Sequence, residues 1–586
     1  MNWQDFNLDK KDSKFSLIIV IFTLVTILFR INTHMSGGIY SPDVGLYLLN
    51  SLNFAQMDYY HIVDVSNLYN APLICMLTAV LAKLGIDLKI SILIVTGIFC
   101  FIGPFGLYIL LKQRFSRLLS LCGTILYGSF SIIAVNLSGG YVDIPAASVG
   151  IWIIVFLILA VNKNPKYFLI LTPLFILGFF TRYTVGMTLP VIVLYYLLSR
   201  NFISLLESLI YDRKSFKEKI NDYLHSDEFK YIVISIVFAV IIFVVISGII
   251  LMYGGSLTFI GQSQSTLDTS YHDVKSANYV PNTIFYFKHF NYIIFNQQRD
   301  FNLLFSGFTF LLLLAGVLVR FINIFKNRNA VKEIRKNKLS FKDSKFKWLL
   351  YFALIAFMAI FFVEFRLFKN HLMANIVLAG IFLIFFALIE KYNVNKEIYA
   401  LNLMVISWFA FYLIFITIYD IKVYRYAIPL LAPFVYFVMW ALENILDFFT
   451  NGFDDESGFS KKFSKFEVKD NFSIFSKLIV IIFMVLLIIS TIGYLAPLET
   501  KETTDDLVDC TDYIIANDPD YHNHTVITPY SFASISKFYL QTNVTPVTKA
   551  EIPSMNDTYL ITDQNVTADN YKLSHRFGSI NLYNHV

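Results

Sequence analysis

The chain has 586 residues, 56% of them hydrophobic and only 15% charged, with a mean hydropathy of +0.60. Too few polar side chains remain to coat soluble domains of this size, so cytoplasmic enzymes, nucleic-acid-binding domains and disordered scaffolds are excluded and a membrane protein is indicated. The formal net charge of +5 must then be read by position, and the four cysteines, Cys75, Cys100, Cys122 and Cys510, show neither a disulfide framework nor zinc-ligand spacing.

The first hydrophobic run, about 15–31, follows Lys10, Lys11 and Lys14 and is not followed by a small-residue cleavage site, so it reads as a retained anchor with a cytoplasmic N-terminus. Residues 32–89 form a first external loop. Its apolar piece, Ala71 to Ile86, carries Pro72 and Lys83 and is short for a span; spanning there would also put Lys112, Arg114 and Arg117 outside. It reads as a juxtamembrane helix lying at the interface, with a short true span as the alternative. Spans follow at about 90–111, 118–138, 144–161, 167–181, 185–199, 231–253, 303–325, 347–364, 371–389, 399–419, 427–447 and 475–497. This arrangement keeps the basic segments 200–230, Lys326 to Lys338 and Lys461 to Lys469 inside, as the excess of Lys and Arg in cytoplasmic loops requires. About thirteen spans send the tail, residues 498–586, to the outside. Four glycosylation sequons in that tail, at Asn523, Asn543, Asn556 and Asn565, agree, although another begins at Asn471 on the cytoplasmic side. Strand-like runs at 525–528 and 559–562 around a helix-compatible 531–540 predict a small α/β domain.

Charged groups are costly within a membrane, and here they gather in the outside connections: Asp43, Asp58, Asp64, Asp143, Arg182, Glu364, Arg366, Lys369, Lys422 and Arg425. An ion-coupled carrier would place carboxylates near the midplane of two related halves, and no such halves are visible. In Gly37-Gly38-Ile39-Tyr40-Ser41-Pro42-Asp43-Val44-Gly45-Leu46-Tyr47, Ser41 and Pro42 mark a helix start, so Asp43 is either a capping carboxylate or a general base facing an outward cavity. Asp143, behind Gly139-Gly140, offers the same two readings. Arg182 and Arg425 lie between apolar spans, where they either snorkel or clamp an anionic head group.

With these residues in order, the chain resembles the GT-C membrane glycosyltransferases that use polyprenyl-phosphate sugars, the branch of protein O-mannosyltransferases and lipid A aminoarabinose transferases. Asp43 with Tyr47 is similar to the acidic-aromatic pair of that family's first external loop, although Val44 stands where the family often has Glu. Ala71-Pro72-Leu73 through Leu84-Gly85 is similar to its Pro-Leu stretch, without the Lys or His that can flank it. Asp143 matches its second acidic position. Gly178-Phe179-Phe180-Thr181-Arg182 matches its Gly-x-x-x-Thr-Lys segment with Arg for Lys, and Arg425-Tyr426-Ala427-Ile428-Pro429 through Pro433 matches its late Arg-Tyr-x-x-Pro-x-x-Pro motif. The tail lacks tryptophan, which sets aside the oligosaccharyltransferases with their Trp-Trp-Asp-Tyr-Gly motif.

The resemblance implies an α-helical polytopic protein divided into a transmembrane catalytic module, 1–497, and an external C-terminal α/β domain, 498–586. It implies transfer of a sugar with inversion from a dolichyl- or undecaprenyl-phosphate donor to a hydroxyl acceptor on the outer face of the cell membrane. Asp43 would be the general base with Asp143 beside it, and Arg182, Arg425 and Lys422 would hold the donor phosphate. Tyr40, Tyr47, Glu364 and Arg366 are candidates to touch substrate. No cofactor is required by this scheme, with a divalent metal left open; the partners are the lipid-linked donor, the acceptor and membrane lipids, with no nucleic acid. The alternatives are a transporter or flippase of a lipid-linked saccharide, or a non-catalytic membrane subunit.

Overall fold

The computed structural model describes residues 12–36, 41–56, 71–137, 139–200, 212–252, 285–294, 300–326, 345–367, 396–418, 422–451, 474–495, 503–567 and 569–586, with isolated positions outside these stretches. The protein is a multi-pass helical membrane protein carrying a small C-terminal sheet. Among the described residues, six helices are long and apolar enough to cross a membrane, and shorter apolar helices accompany them.

A first helix, α1 (Asp12–Ser36), and the helices α2 (Pro42–Gln56) and α3 (Pro72–Lys83) lead into α4 (Leu88–Lys112). The apolar piece Ala71–Ile86 forms α3, whose 12 residues rise only about 18 Å and pack against α2 and α4. The span expected at 118–138 is instead two pieces, α5 (Arg117–Ser129) and α6 (Ser131–Asn136), broken where Phe130 takes an extended backbone. Next come α7 (Asp143–Asn162), α8 (Phe168–Thr181), α9 (Thr188–Ser199), the polar α10 (Arg213–Leu224) and α11 (Asp227–Met252). After these lie α12 (Phe285–Ile294), α13 (Asp300–Lys326), α14 (Lys345–Phe362), α15 (Lys396–Ile418), α16 (Leu431–Asn451) and α17 (Ile474–Leu495). The span expected at 371–389 lies almost wholly outside the described residues, as do Asp58, Asp64, Lys369 and most of the 255–300 loop.

The bundle is built around α7. It is apolar on every side and almost fully buried against α4, α8 and α9, the expected position for an all-round hydrophobic helix. By contrast, α1 exposes Leu17, Ile21, Leu24, Val25 and Leu28, and α11 exposes Val237, Ile241 and Val244; such rows suit lipid rather than water.

The two ends of α7, about 30 Å apart for 20 residues, differ in chemistry. At the Asn162 end, Arg200 donates to the Val161 carbonyl at 2.9 Å and pairs with Glu228 at 2.8 Å. Lys112 and Arg117, at the turn between α4 and α5, pair with Asp12 at 3.3 and 3.4 Å, and the Tyr108 hydroxyl donates to Asp12 at 2.7 Å. Arg114 grips Glu443 of α16 through both terminal nitrogens.

The C-terminal unit holds α18 (Thr503–Asn517), α19 (Tyr530–Leu540) and five strands, β1 (Val526–Pro529), β2 (Val544–Val547), β3 (Tyr559–Thr562), β4 (Tyr571–Phe577) and β5 (Ile580–His585). The sheet order is β2-β1-β3-β5-β4; β1 pairs in parallel with β2 and β3, and β5 is antiparallel to β3 and β4. The strands and helix expected at 525–528, 559–562 and 531–540 correspond to β1, β3 and α19, while β2, β4 and β5 add to them.

Candidate active site

At the Asp143 end of α7, four separate stretches of chain meet. Ser41 opens α2, its hydroxyl accepting from the Asp43 amide at 3.2 Å, and Pro42 occupies the first helical position where its missing N–H costs nothing. Asp143 opens α7, but its Oδ2 accepts no hydrogen bond from the helix amides. Its carboxylate is turned instead to two guanidiniums: Oδ1 lies 2.5 Å from Nη1 of Arg182, and Oδ2 lies 3.6 Å from Nε of Arg425. Arg425 in turn pairs through Nη2 with Oδ2 of Asp43. A capping role for Asp143 is therefore replaced by an electrostatic one.

The backbone explains how these groups come together. Arg182 follows the last turn of α8 in an extended conformation, and a one-turn 3₁₀ segment, Tyr183–Met187, then starts the return into α9. Arg425 sits in another 3₁₀ segment, Tyr424–Leu430, which carries Pro429 and leads straight into α16. The loop ahead of α7 closes on α2 through Gly140, whose φ of +82° suits glycine and whose Cβ would meet a Val44 methyl at 2.8 Å.

Two tyrosines complete the cluster. The Tyr426 ring lies between the cations, 4.8 Å from the Arg182 guanidinium carbon and 5.8 Å from that of Arg425, and Tyr141 lies 4.7 Å from Arg425. Ring faces attract cations, so these aromatics help to offset the proximity of two positive charges in a poorly hydrated place. The carboxylates differ sharply. Asp143 exposes 3% of its side chain and Asp43 exposes 44%, so only Asp43 has substantial access to solvent and to an incoming group. Tyr47, one turn along α2 from Asp43, is buried; burial first and the Asp43 charge second push its phenol well above the ordinary value, so it stays a hydroxyl.

None of the remaining expected site residues has an ion pair with this cluster among the described residues. Lys422 is buried, with its ammonium donating to the carbonyls of Ile416 and Thr417 at 3.1 and 2.8 Å, at the C-terminal end of α15, and lying 5.8 Å from the Tyr286 ring. Cations are favoured at a helix C-terminus, which accounts for that placement. Glu364 is half-buried in the π-turn Val363–Leu367 and makes no ion pair with the cluster among the described residues. Tyr40 and the Arg366 side chain lie outside the described residues. Among the described residues no group of three or more His, Cys, Asp and Glu side chains is placed to hold a metal. Sequence reasoning did not assign Tyr426 and Tyr141 to the site; their signal was adjacency to Arg425 and to the Gly139-Gly140 turn.

Comparison with known proteins follows the same outline. The family described as dolichyl-phosphate-mannose-protein mannosyltransferase matches residues 69–211, the stretch from just before α3 to just past α9. No curated protein is similar enough to count as a match. Among solved structures, ArnT from Cupriavidus metallidurans bound to undecaprenyl phosphate superposes with a TM-score of 0.50 at 11% identity over 98% of both chains. The apo form of the same protein gives 0.51 at 11% identity over 98% of this chain and 99% of that one. An oligosaccharyltransferase from Archaeoglobus fulgidus, at 11% identity and TM-score 0.45, covers 93% of this chain and 68% of that one.

Proposed function

Taking as premise a multi-pass membrane protein with the GT-C membrane glycosyltransferase fold, we propose that this chain transfers a sugar from a polyprenyl-phosphate donor to a hydroxyl acceptor at the outer face of the membrane. The observation that carries the proposal is the convergence of Asp43, Asp143, Arg182 and Arg425, from four distant stretches, into one cluster at a single end of α7. Charge at one end rather than at the midpoint of a helix favours chemistry at the surface over passage through the bundle.

In the reaction, the accessible Asp43 takes the proton of the acceptor hydroxyl as its oxygen attacks the anomeric carbon. The bond from that carbon to the phosphate oxygen breaks, inverting the centre, and the lipid phosphate leaves with the electron pair. Arg182 and Arg425 face the place where that negative charge grows, and the buried Asp143 holds their guanidiniums at fixed positions. The departing phosphate competes with Asp43 for the Arg425 fork, which links leaving-group binding to release of the base. ArnT from Cupriavidus metallidurans binds undecaprenyl phosphate, and a lipid phosphate of that kind suits the two-arginine site proposed here. We assign the N-terminus to the cytoplasm and residues 498–586 to the outside. The donor's sugar and its lipid are the variables of the test.

Membranes containing the chain are incubated with dolichyl- and undecaprenyl-phosphate hexoses and pentoses, each radiolabelled in the sugar, and transfer of label from the polyprenyl phosphate to any protein, lipid or glycan product is followed. Transfer from at least one donor, lost in Asp43→Asn, is the expected result. No transfer from any of them would overturn the proposal.

A further inference from the structure

The C-terminal unit does not hang from the bundle by its connecting segment alone. Its helix α19 lies across α2, the helix that carries Asp43 in its first turn. The Ser534 hydroxyl donates to the Pro42 carbonyl at 2.6 Å, a bond between residues 492 positions apart. A carbonyl in the first turn of a helix has a second lone pair free for such a donor. One turn further on, Gly45 faces the α19 backbone so closely that a Cβ would lie 3.0 Å from the Ser534 Oγ and 3.1 Å from the Ile535 nitrogen. Between these two contacts stand Asp43 and Val44. Val44 and Leu48 of α2 share one apolar core with Phe532, Ile535 and Leu540 of α19 and Leu507, Cys510 and Ile514 of α18. At the entry to α2, Ile39 belongs to the same apolar core, against which Tyr539 of α19 packs.

A domain that only gathered acceptors would have no need to grip the residues on both sides of the base. We propose that the C-terminal unit is a positioning element of the catalytic site: it sets the height and rotation of the first turn of α2, with Ser534 as the positioning residue and Gly45 as the gap that admits α19. Asp43 is thereby held from outside by Ser534 on its helix and from within by Arg425 on its carboxylate. The inference rests on Asp43 acting as the base. Its energetic logic is that catalysis tolerates little displacement: shifting a reacting group by about 1 Å can cost on the order of 10²-fold in rate.

The test uses the full chain in membranes and reads kcat and KM separately for the donor and the acceptor. Ser534→Ala removes one hydrogen bond and should lower kcat several-fold, with both KM values held near the parent. Gly45→Val should lower kcat by about 10²-fold, because the side chain must push α19 away from α2. Tyr530→Ala, on the exposed side of α19, serves as the control and should turn over like the parent. Because Gly45→Val could instead unfold the tail, hydrogen exchange is measured over the same variants. Faster exchange confined to residues 42–56, with β1 and β3 as protected as in the parent, is the expected pattern.

Parental kcat in both Ser534→Ala and Gly45→Val overturns the inference. So does a change confined to the acceptor KM, which would make the unit an acceptor-binding module, and so does loss of protection in β1 and β3. Asp43→Asn in the same assay separates the two levels of argument. If it is inactive while the Ser534 and Gly45 variants are normal, positioning alone fails; if it is fully active, the base assignment fails and the inference falls with it.

Discussion

Asp43 and Asp143 carry the same carboxylate into different surroundings, and the difference should be measurable. Asp43→Asn keeps the shape and removes the proposed base, so kcat should fall by roughly 10²–10⁴-fold with little change in melting temperature. Asp143→Asn leaves two enclosed guanidiniums short of a counter-charge, and breaking a buried pair costs about 3–5 kcal/mol. It should therefore lower both the melting temperature and donor affinity; the opposite assignment of the two phenotypes would exchange the roles. Arg425→Lys keeps the charge but loses the fork and should weaken donor use moderately, whereas Arg425→Ala should cost about 2–4 kcal/mol in the transfer step. Parental initial rates in correctly inserted Arg425→Ala protein would return Arg425 to snorkelling. All four charged residues were legible in the sequence because an ionisable group between apolar spans stands out against its neighbours. Tyr426 and Tyr141 were marked only by adjacency to Arg425 and to the Gly139-Gly140 turn, a weak signal in a chain with 36 tyrosines and 59 phenylalanines. Lys422 stood out as plainly as Arg425, yet its ammonium is engaged by helix-end carbonyls, a distinction that only the path of the backbone makes.

Hydropathy reads elements well where one state is demanded throughout, as in α7, and badly where a local break intervenes. The stretch 118–138 is apolar enough for one helix, but Phe130 interrupts it between Ser129 and Ser131, and nothing in its composition marks that residue. In the tail, β1 and β3 have buried cores and read as strands, whereas β4 is exposed along most of its length and its Lys572, Ser574, His575 and Arg576 conceal it. The Gly140 turn leads to a prediction at this scale: Gly140→Ala puts a side chain at positive φ against Val44 and should reduce stability by about 1–3 kcal/mol, with a parallel loss of turnover. A pH effect belongs to the tail. The Tyr559 hydroxyl, donating at 2.7 Å, and then His524 at 2.6 Å hold the Asp518 carboxyl below its ordinary range. That stabilisation is present above the unfolded aspartate value, about 3.9, and is lost as pH falls through the lower folded value. A fluorophore on a cysteine replacing exposed Lys549 should thus report a tail that loosens on acidification, and Asp518→Asn should flatten the profile. An equally steep profile in the variant would assign the effect to other groups.

On the scale of the whole molecule, the ion-paired turn around Lys112, Arg114 and Arg117 and the aspartate–arginine cluster occupy opposite ends of α7, which is the arrangement expected when one faces the cytoplasm and the other the outside. The four native cysteines are buried, so labelling can be read from introduced ones. In intact cells a cysteine at Lys549 should react with an impermeant thiol reagent, and one at Lys217 in α10 should react only after permeabilisation; the reverse would invert the molecule and move the proposed chemistry to the other face. The site also has a history within each chain. Asp143 and Arg182 leave the ribosome close together, but 382 residues separate Asp43 from Arg425. At about 5–20 residues per second, the first aspartate is in place roughly 20–75 seconds before its arginine exists. Ser534 comes later still. Throughout synthesis the nascent protein therefore holds an incomplete cluster, and on the positioning role proposed for Ser534 a product truncated before α19 should be inserted but turn over more slowly than the full chain.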